Sequence, residues 1–176
     1  MAADGPLLAP DERLGDAIRT SGIPSGPAEF FADLGNIQVA LPVLAATVAY
    51  ATYRTRHWLP AATAALTMTL TLALVLPLQS LLARPGPPPM APETGFYPSG
   101  HAATAAVAYG ICALLLGRRE LTYGCVVLNA GVGIGLVRQG YHWPADVLGS
   151  WCLAVLLIAG LGRLLARYGR QPGGDG

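Results

Sequence analysis

The sequence has no lysine: all eleven of its basic residues are arginine, set against ten acids. A formal charge of +1 leaves no surplus to pair with a polyanion, so no nucleic-acid partner is expected. Charge is scarce altogether, at 12% of residues against 53% hydrophobic, which excludes ordinary soluble-domain composition and points to one integral membrane domain. Cysteine is scarce too. Cys112, Cys125 and Cys152 all fall inside apolar runs without metal-ligand spacing, which argues for apolar thiols and against a disulfide framework or zinc site. The opening "MAADGPLLAPDERLGD" has neither a basic leader nor an apolar stretch of ~7–15 residues with a cleavage site, so no removable signal peptide is expected and the first span must direct insertion itself.

What the chain does have is long apolar runs. Measured against the ~20 residues needed to cross hydrocarbon, they predict an all-α bundle of about five transmembrane helices, near 36–53, 58–82, 101–117, 121–137 and 147–167. The third and fourth are short, as expected of helices that stop below the membrane surface and frame a recess. Ahead of them lies a polar segment, 1–27, in which "DERLGDAIRTSG" predicts one short amphipathic helix, and "PAEFFADLGN" leads into the membrane along its surface. The membrane domain is read as 28–168 and a flexible tail as 169–176. "GVGIG" at 131–135 follows no strand and lacks the spacing of a nucleotide loop. It predicts close helix packing instead, with "AATAA" at 102–106 as partner.

Five spans put the polar loops 83–100 and 138–146 on one side. The turns "RTRHW" and "GRRE" and the C-terminal arginines fall on the other. The positive-inside rule makes the arginine-rich side cytoplasmic, so the loops and the N-terminus face out of the cytoplasm in a multi-pass cell-membrane protein.

Both outward loops carry groups that are costly at a membrane edge. In "GFYPSGHAAT", Ser99 is placed to cap a helix whose first turn holds His101, and free N–H groups at a helix start make an anion site. In "RQGYHWPADVLGSW", Pro144 suits the first turn of a helix, with His142 just outside it and Asp146 within it. A histidine oriented by a carboxylate can attack, and a second histidine can protonate a leaving group. Arg84 and Arg138, with the anion site, suggest that a phosphoryl group is what moves. His57, on the other side, is read as structural, and Trp58 and Trp143 as interfacial anchors.

These motifs resemble the type 2 phosphatidic acid phosphatase superfamily, whose pattern is K-x6-R-P, then P-S-G-H, then S-R-x5-H-x3-D. "PSGH" at 98–101 is intact, "HWPAD" at 142–146 supplies H-x3-D, and "ARPGP" at 83–87 resembles the first part, so the likeness covers roughly 36–166. The resemblance implies a phosphatidic acid phosphatase/haloperoxidase-like core and a metal-independent hydrolase without cofactor. It makes His142 the nucleophile, Asp146 its orienting carboxylate and His101 the acid, with Ser99 and Gly100 holding phosphate. The expected partner is a polyprenyl phosphate, its diphosphate or a phosphatidyl lipid. Departures are equally specific. Read as K-x4-R-P-R-P, the first motif puts Gln79 at the lysine and Gly86 at the second arginine; aligned on Arg84 as the motif arginine, it puts Pro77 at the lysine. The third-motif arginine falls on Leu136, with Arg138 two residues on. Arg84 and Arg138 are therefore expected as relocated phosphate ligands. A head-group or phosphoryl transferase, or a degenerate binding protein, is the alternative.

Overall fold

The structure is a computed structural model that describes residues 8–168, with side chains described through Arg163. The predicted flexible tail at 169–176 lies outside the described residues. Among the described residues, seven α-helices follow one another: α1 (Leu8–Arg19), α2 (Ser25–Asp33), α3 (Ile37–Thr55), α4 (Leu59–Leu82), α5 (Gly100–Leu116), α6 (Arg119–Arg138) and α7 (Pro144–Tyr168). A single 3₁₀ turn, Pro88–Met90, interrupts the long loop before α5.

The five predicted apolar helices are α3 to α7. Among the described residues, α4, α6 and α7 alone are long and apolar enough to cross a membrane unaided; α2 and α3 pass that test as a pair bent by 50°. With 17 residues, α5 reaches about 26 Å, short of a hydrocarbon core of about 30 Å. The chain is thus a multi-pass membrane protein with three spans by length and composition, or four if the bent pair counts as one. The predicted boundary at 27 cuts into α2, which starts at Ser25.

α5 is the central post, packed by α3, α4, α6 and α7. Ala, Thr and Val fill its run 102–108, all buried, because small side chains let four helices close on one axis. The polar residues of α4 are accommodated within the helix itself. Thr63, Thr67 and Thr71 are buried at i, i+4 spacing, and each hydroxyl donates 2.8 Å to a carbonyl one turn back.

The "GVGIG" glycines do mark close packing, but on other partners than 102–106. A Cβ at Gly135 would stand 2.4 Å from the Ala28 carbonyl oxygen, one at Gly131 2.6 Å from the Phe31 ring, and one at Gly133 2.7 Å from Trp151. α2 therefore seats against the face of α6 that carries Gly131 and Gly135, and α7 against the opposite face that carries Gly133, because the α2–α3 bend folds α2 back across the bundle end. Cys152, predicted among buried thiols, is exposed on α7; Cys112 is buried.

The amphipathic α1 lies across the α6–α7 turn. Gly15 fits where a Cβ would stand 2.8 Å from the Trp143 ring. Trp143 is therefore buried, at 8% exposure, and is not the predicted interfacial anchor. Trp58, at the opposite end of the bundle, is 70% exposed.

Candidate active site

Two helix starts meet at one end of the bundle. Ser99 caps α5, its hydroxyl accepting from the Ala102 N–H at 3.2 Å. The cap is tied to α7: Ser99 N–H donates to the Asp146 carbonyl at 3.1 Å, and the Ser150 hydroxyl lies 2.8 Å from both the Ser99 and Asp146 carbonyl oxygens. Ser99 and Ser150 are wholly buried, so the serine of "PSGH" builds the turn and does not line the opening. The amides of Gly100 and His101 head α5, where no preceding helical turn supplies an acceptor.

His142 is presented by the way α6 ends. Gly140 takes φ +74°, and the Tyr141 N–H reaches back 2.9 Å to the Leu136 carbonyl. This is a left-handed glycine C-cap that reverses the chain in two residues. Tyr141 secures the turn by donating 3.0 Å to Glu29 of α2, and that carboxylate bond raises its phenol above the ordinary value.

Asp146 stands in the first turn of α7, completely buried. One oxygen accepts from the Trp143 N–H at 2.9 Å and the other from Arg84 at 2.6 Å. His142 Nδ1 faces the first of these oxygens from 3.5 Å, and is buried with no closer partner. That gap is long for a hydrogen bond, but it is of the size that closes when a catalytic group is engaged. The His101 and His142 rings sit 6.2 Å apart, and Phe96 packs edge-on to His142 with ring centres 5.5 Å apart.

Both imidazoles line a cavity of about 560 Å³ between the start of α3, the outer half of α4, the 93–96 loop and α5. Gln79, Gly100 and Glu93 line it too, and neither Arg84 nor Arg138 does. Of the expected phosphate ligands, Gly100 thus lines the cavity. Arg138 is not: its Nε donates 2.9 Å to the Ile23 carbonyl and its Nη1 2.8 Å to that of Arg19, so it holds the end of α1. Leaving α6 about 200° around from Leu136, it points out of the core in which Leu136 is buried. Arg84 joins the site from behind, bridging Asp146 and Asp11 of α1 at 2.6 and 2.5 Å, with its guanidinium 5.8 Å over the Trp143 ring.

The absent family cations have physical replacements. Gln79 donates 2.9 Å to the Pro98 carbonyl on the cavity wall, so the alignment that sets Gln79 at the lysine position is the one that faces the site. At Gly86 a Cβ would fall 2.6 Å from Phe96; that ring fills the room a second arginine would need. Asp11 escapes sequence reasoning because an acid in the first turn of a polar helix carries no signal beyond helix capping. Among the described residues, no three His, Cys, Asp or Glu side chains gather as a metal site.

Comparison with known proteins identifies the fold and the family. No curated protein sequence matches significantly. The fold is similar to the crystal structure of the first transmembrane PAP2-type phosphatidylglycerolphosphate phosphatase from Bacillus subtilis, with a TM-score of 0.84 at 22% identity over 97% of this chain and 91% of that one. The model of the PAP2 superfamily matches residues 61–169, a stretch that holds both histidines, Asp146 and the loop between α4 and α5. A bundle whose central helix begins in "PSGH" and meets an H-x3-D turn thus has its place: the chain belongs to the PAP2 superfamily.

Proposed function

We propose that the protein is a membrane phosphatase that hydrolyses a lipid phosphate or diphosphate, a polyprenyl phosphate or a phosphatidyl lipid, through a phosphohistidine. The observation that carries the reading is the facing pair of imidazoles, 6.2 Å apart on one cavity wall, with Asp146 behind Nδ1 of His142. Asp146 orients the ring and keeps the proton on Nδ1, which leaves Nε2 its lone pair. Nε2 forms the bond to phosphorus as the bond from phosphorus to the lipid oxygen breaks, and His101 gives its proton to that oxygen. His101, now neutral, takes a proton from water as the water attacks phosphorus; the N–P bond breaks, and phosphate leaves. The non-bridging oxygens are held by the Gly100 and His101 amides at the α5 start, in the turn that Ser99 caps. Arg84 serves by orienting Asp146, and Arg138 by bracing α1.

Residues at the start of α3 and along the outer half of α4 line the cavity, which suits a substrate arriving from the bilayer. The arginines of the α3–α4 and α5–α6 turns lie at the opposite end, which by the positive-inside rule supports a site on the extracytoplasmic side.

The test is phosphate release by the full-length, detergent-purified protein in EDTA, over polyprenyl phosphates and diphosphates, phosphatidic acid and phosphatidylglycerophosphate. Release should survive chelation and fall about 10³-fold or more in His142→Ala. Equal release from His142→Ala would refute the phosphohistidine. One observation favours a second reading, a binding or transferase protein: no lysine or arginine lines the cavity. Absence of release from every substrate would establish that reading.

A further inference from the structure

We infer that Asp11, on the N-terminal helix, is a positioning residue of the hydrolytic site, fixing Arg84 against Asp146 and keeping the charge behind His142 negative. The inference rests on the proposed role of His142 as nucleophile. Asp11 lies 73 residues from Arg84 and 134 from Ala145, yet it meets both: one oxygen accepts from Arg84 at 2.5 Å and the other from the Ala145 N–H at 2.8 Å. Its side chain is 9% exposed, that of Arg84 11% and that of Asp146 0%. An acid this buried, on an otherwise polar helix, has both oxygens committed to groups that touch Asp146 or share its helix turn.

The contact is built into the fold. α1 is held independently by Arg138 at its C-terminal end and by the Gly15–Trp143 contact at its middle. Asp11 is therefore delivered to a fixed point, and a helix poised to leave would not be fastened at three places. Nor does Asp11 obstruct the cavity, whose lining includes neither it nor Arg84.

The electrostatic consequence follows from counting charges. Arg84 alone would neutralise Asp146 and cancel the field that favours positive charge on His142. With Asp11 on its other side, the trio of two carboxylates and one guanidinium keeps one net negative charge next to Nδ1. That charge makes His142 a better nucleophile and stabilises the cationic ring once it carries phosphorus. The other charged or titratable groups around His142 are His101 on α5 and Glu93 in the loop; neither is altered by a change at Asp11.

Asp11→Asn keeps the shape and can still accept from Ala145, while removing the charge. In the phosphate-release assay, with the best substrate of the panel, kcat should fall about 10- to 100-fold, the usual effect of removing an orienting carboxylate behind a functional histidine, with KM nearly unchanged. Asp11→Glu should recover part of the rate. Glu12→Gln, an exposed change on the same helix, should alter nothing. His142→Ala runs alongside, so that a failure of the nucleophile reading shows there and not in Asp11. With His142 essential, an Asp11→Asn rate equal to wild type would overturn the inference. A faster variant would do so as well, since it would make Asp11 a block. A slower variant that Asp11→Glu does not rescue, or whose KM changes along with kcat, would reduce Asp11 to a brace.

Discussion

Arg84→Met removes one guanidinium from between two buried carboxylates and leaves a side chain of similar length. In the wild type Arg84 is the counter-ion of both, at 2.6 Å from Asp146 and 2.5 Å from Asp11. After the change each acid keeps one backbone partner, the Trp143 and Ala145 N–H groups at 2.9 and 2.8 Å, and the two negative charges face each other across the methionine. Breaking a buried pair by deleting one partner costs about 3–5 kcal/mol. For a chain of this size each kcal/mol is worth about 2–4 °C, so melting in detergent at pH 7.5 should fall by roughly 6–20 °C. A variant that melts within about 2 °C of wild type at pH 7.5 but releases no phosphate would refute this reasoning, and would move the guanidinium from the scaffold to the substrate.

Two further outcomes follow from the packing and from the cavity wall. Gln79→Lys restores a cation beside the "PSGH" turn. A charge about 6 Å from a phosphate at an effective dielectric of about 20 gains about 3 kcal/mol before desolvation, so kcat/KM should rise about tenfold, and a fall would show that the amide itself is required. Gly135→Ala should destabilise by about 1–3 kcal/mol because its methyl would meet the Ala28 and Ala32 backbone at 2.4 and 2.8 Å. Gly124→Ala on the same helix, with nothing within 4 Å, should be neutral or gain up to about 1 kcal/mol; equal melting of the two would contradict the α2–α6 contact.

The apolar helices were legible because hydrocarbon forces long uninterrupted runs, and "PSGH" and H-x3-D because capping and proline chemistry place each histidine at a helix start. What escaped is what depends on three-dimensional pairing between distant segments. Trp143 reads as an anchor since aromatic residues favour interfaces, but α1 covers it, and nothing local to "YHWPAD" announces that cover. Arg138 reads as a phosphate ligand because charge near a loop is rare in this chain; the carbonyls of Arg19 and Ile23, more than a hundred residues away, claim it instead. The glycines of "GVGIG" announce close packing without naming a partner, and the bend between α2 and α3 decides it. Gln79 was visible as a departure from the family pattern, and only the cavity wall distinguishes it from Pro77 as the residue facing the site.

A phosphoryl-transfer site with no lysine or arginine on its wall must find its positive charge elsewhere. Two helix starts, α5 and α7, converge there, and each carries about half a unit of positive charge at its end. α7 spends its share on Asp146 and Asp11, which accept from the Trp143 and Ala145 amides. That leaves α5 and the imidazoles to meet the substrate, against a cavity that also carries Glu93. On the proposed mechanism the proton of His101, taken up together with the phosphate, therefore serves twice, as the counter-charge that holds the bound anion and then as the proton given to the lipid oxygen. The two uses are sequential and need only one proton. The second follows directly from the first, because the acid that neutralises the bound anion already stands beside the bond to be broken.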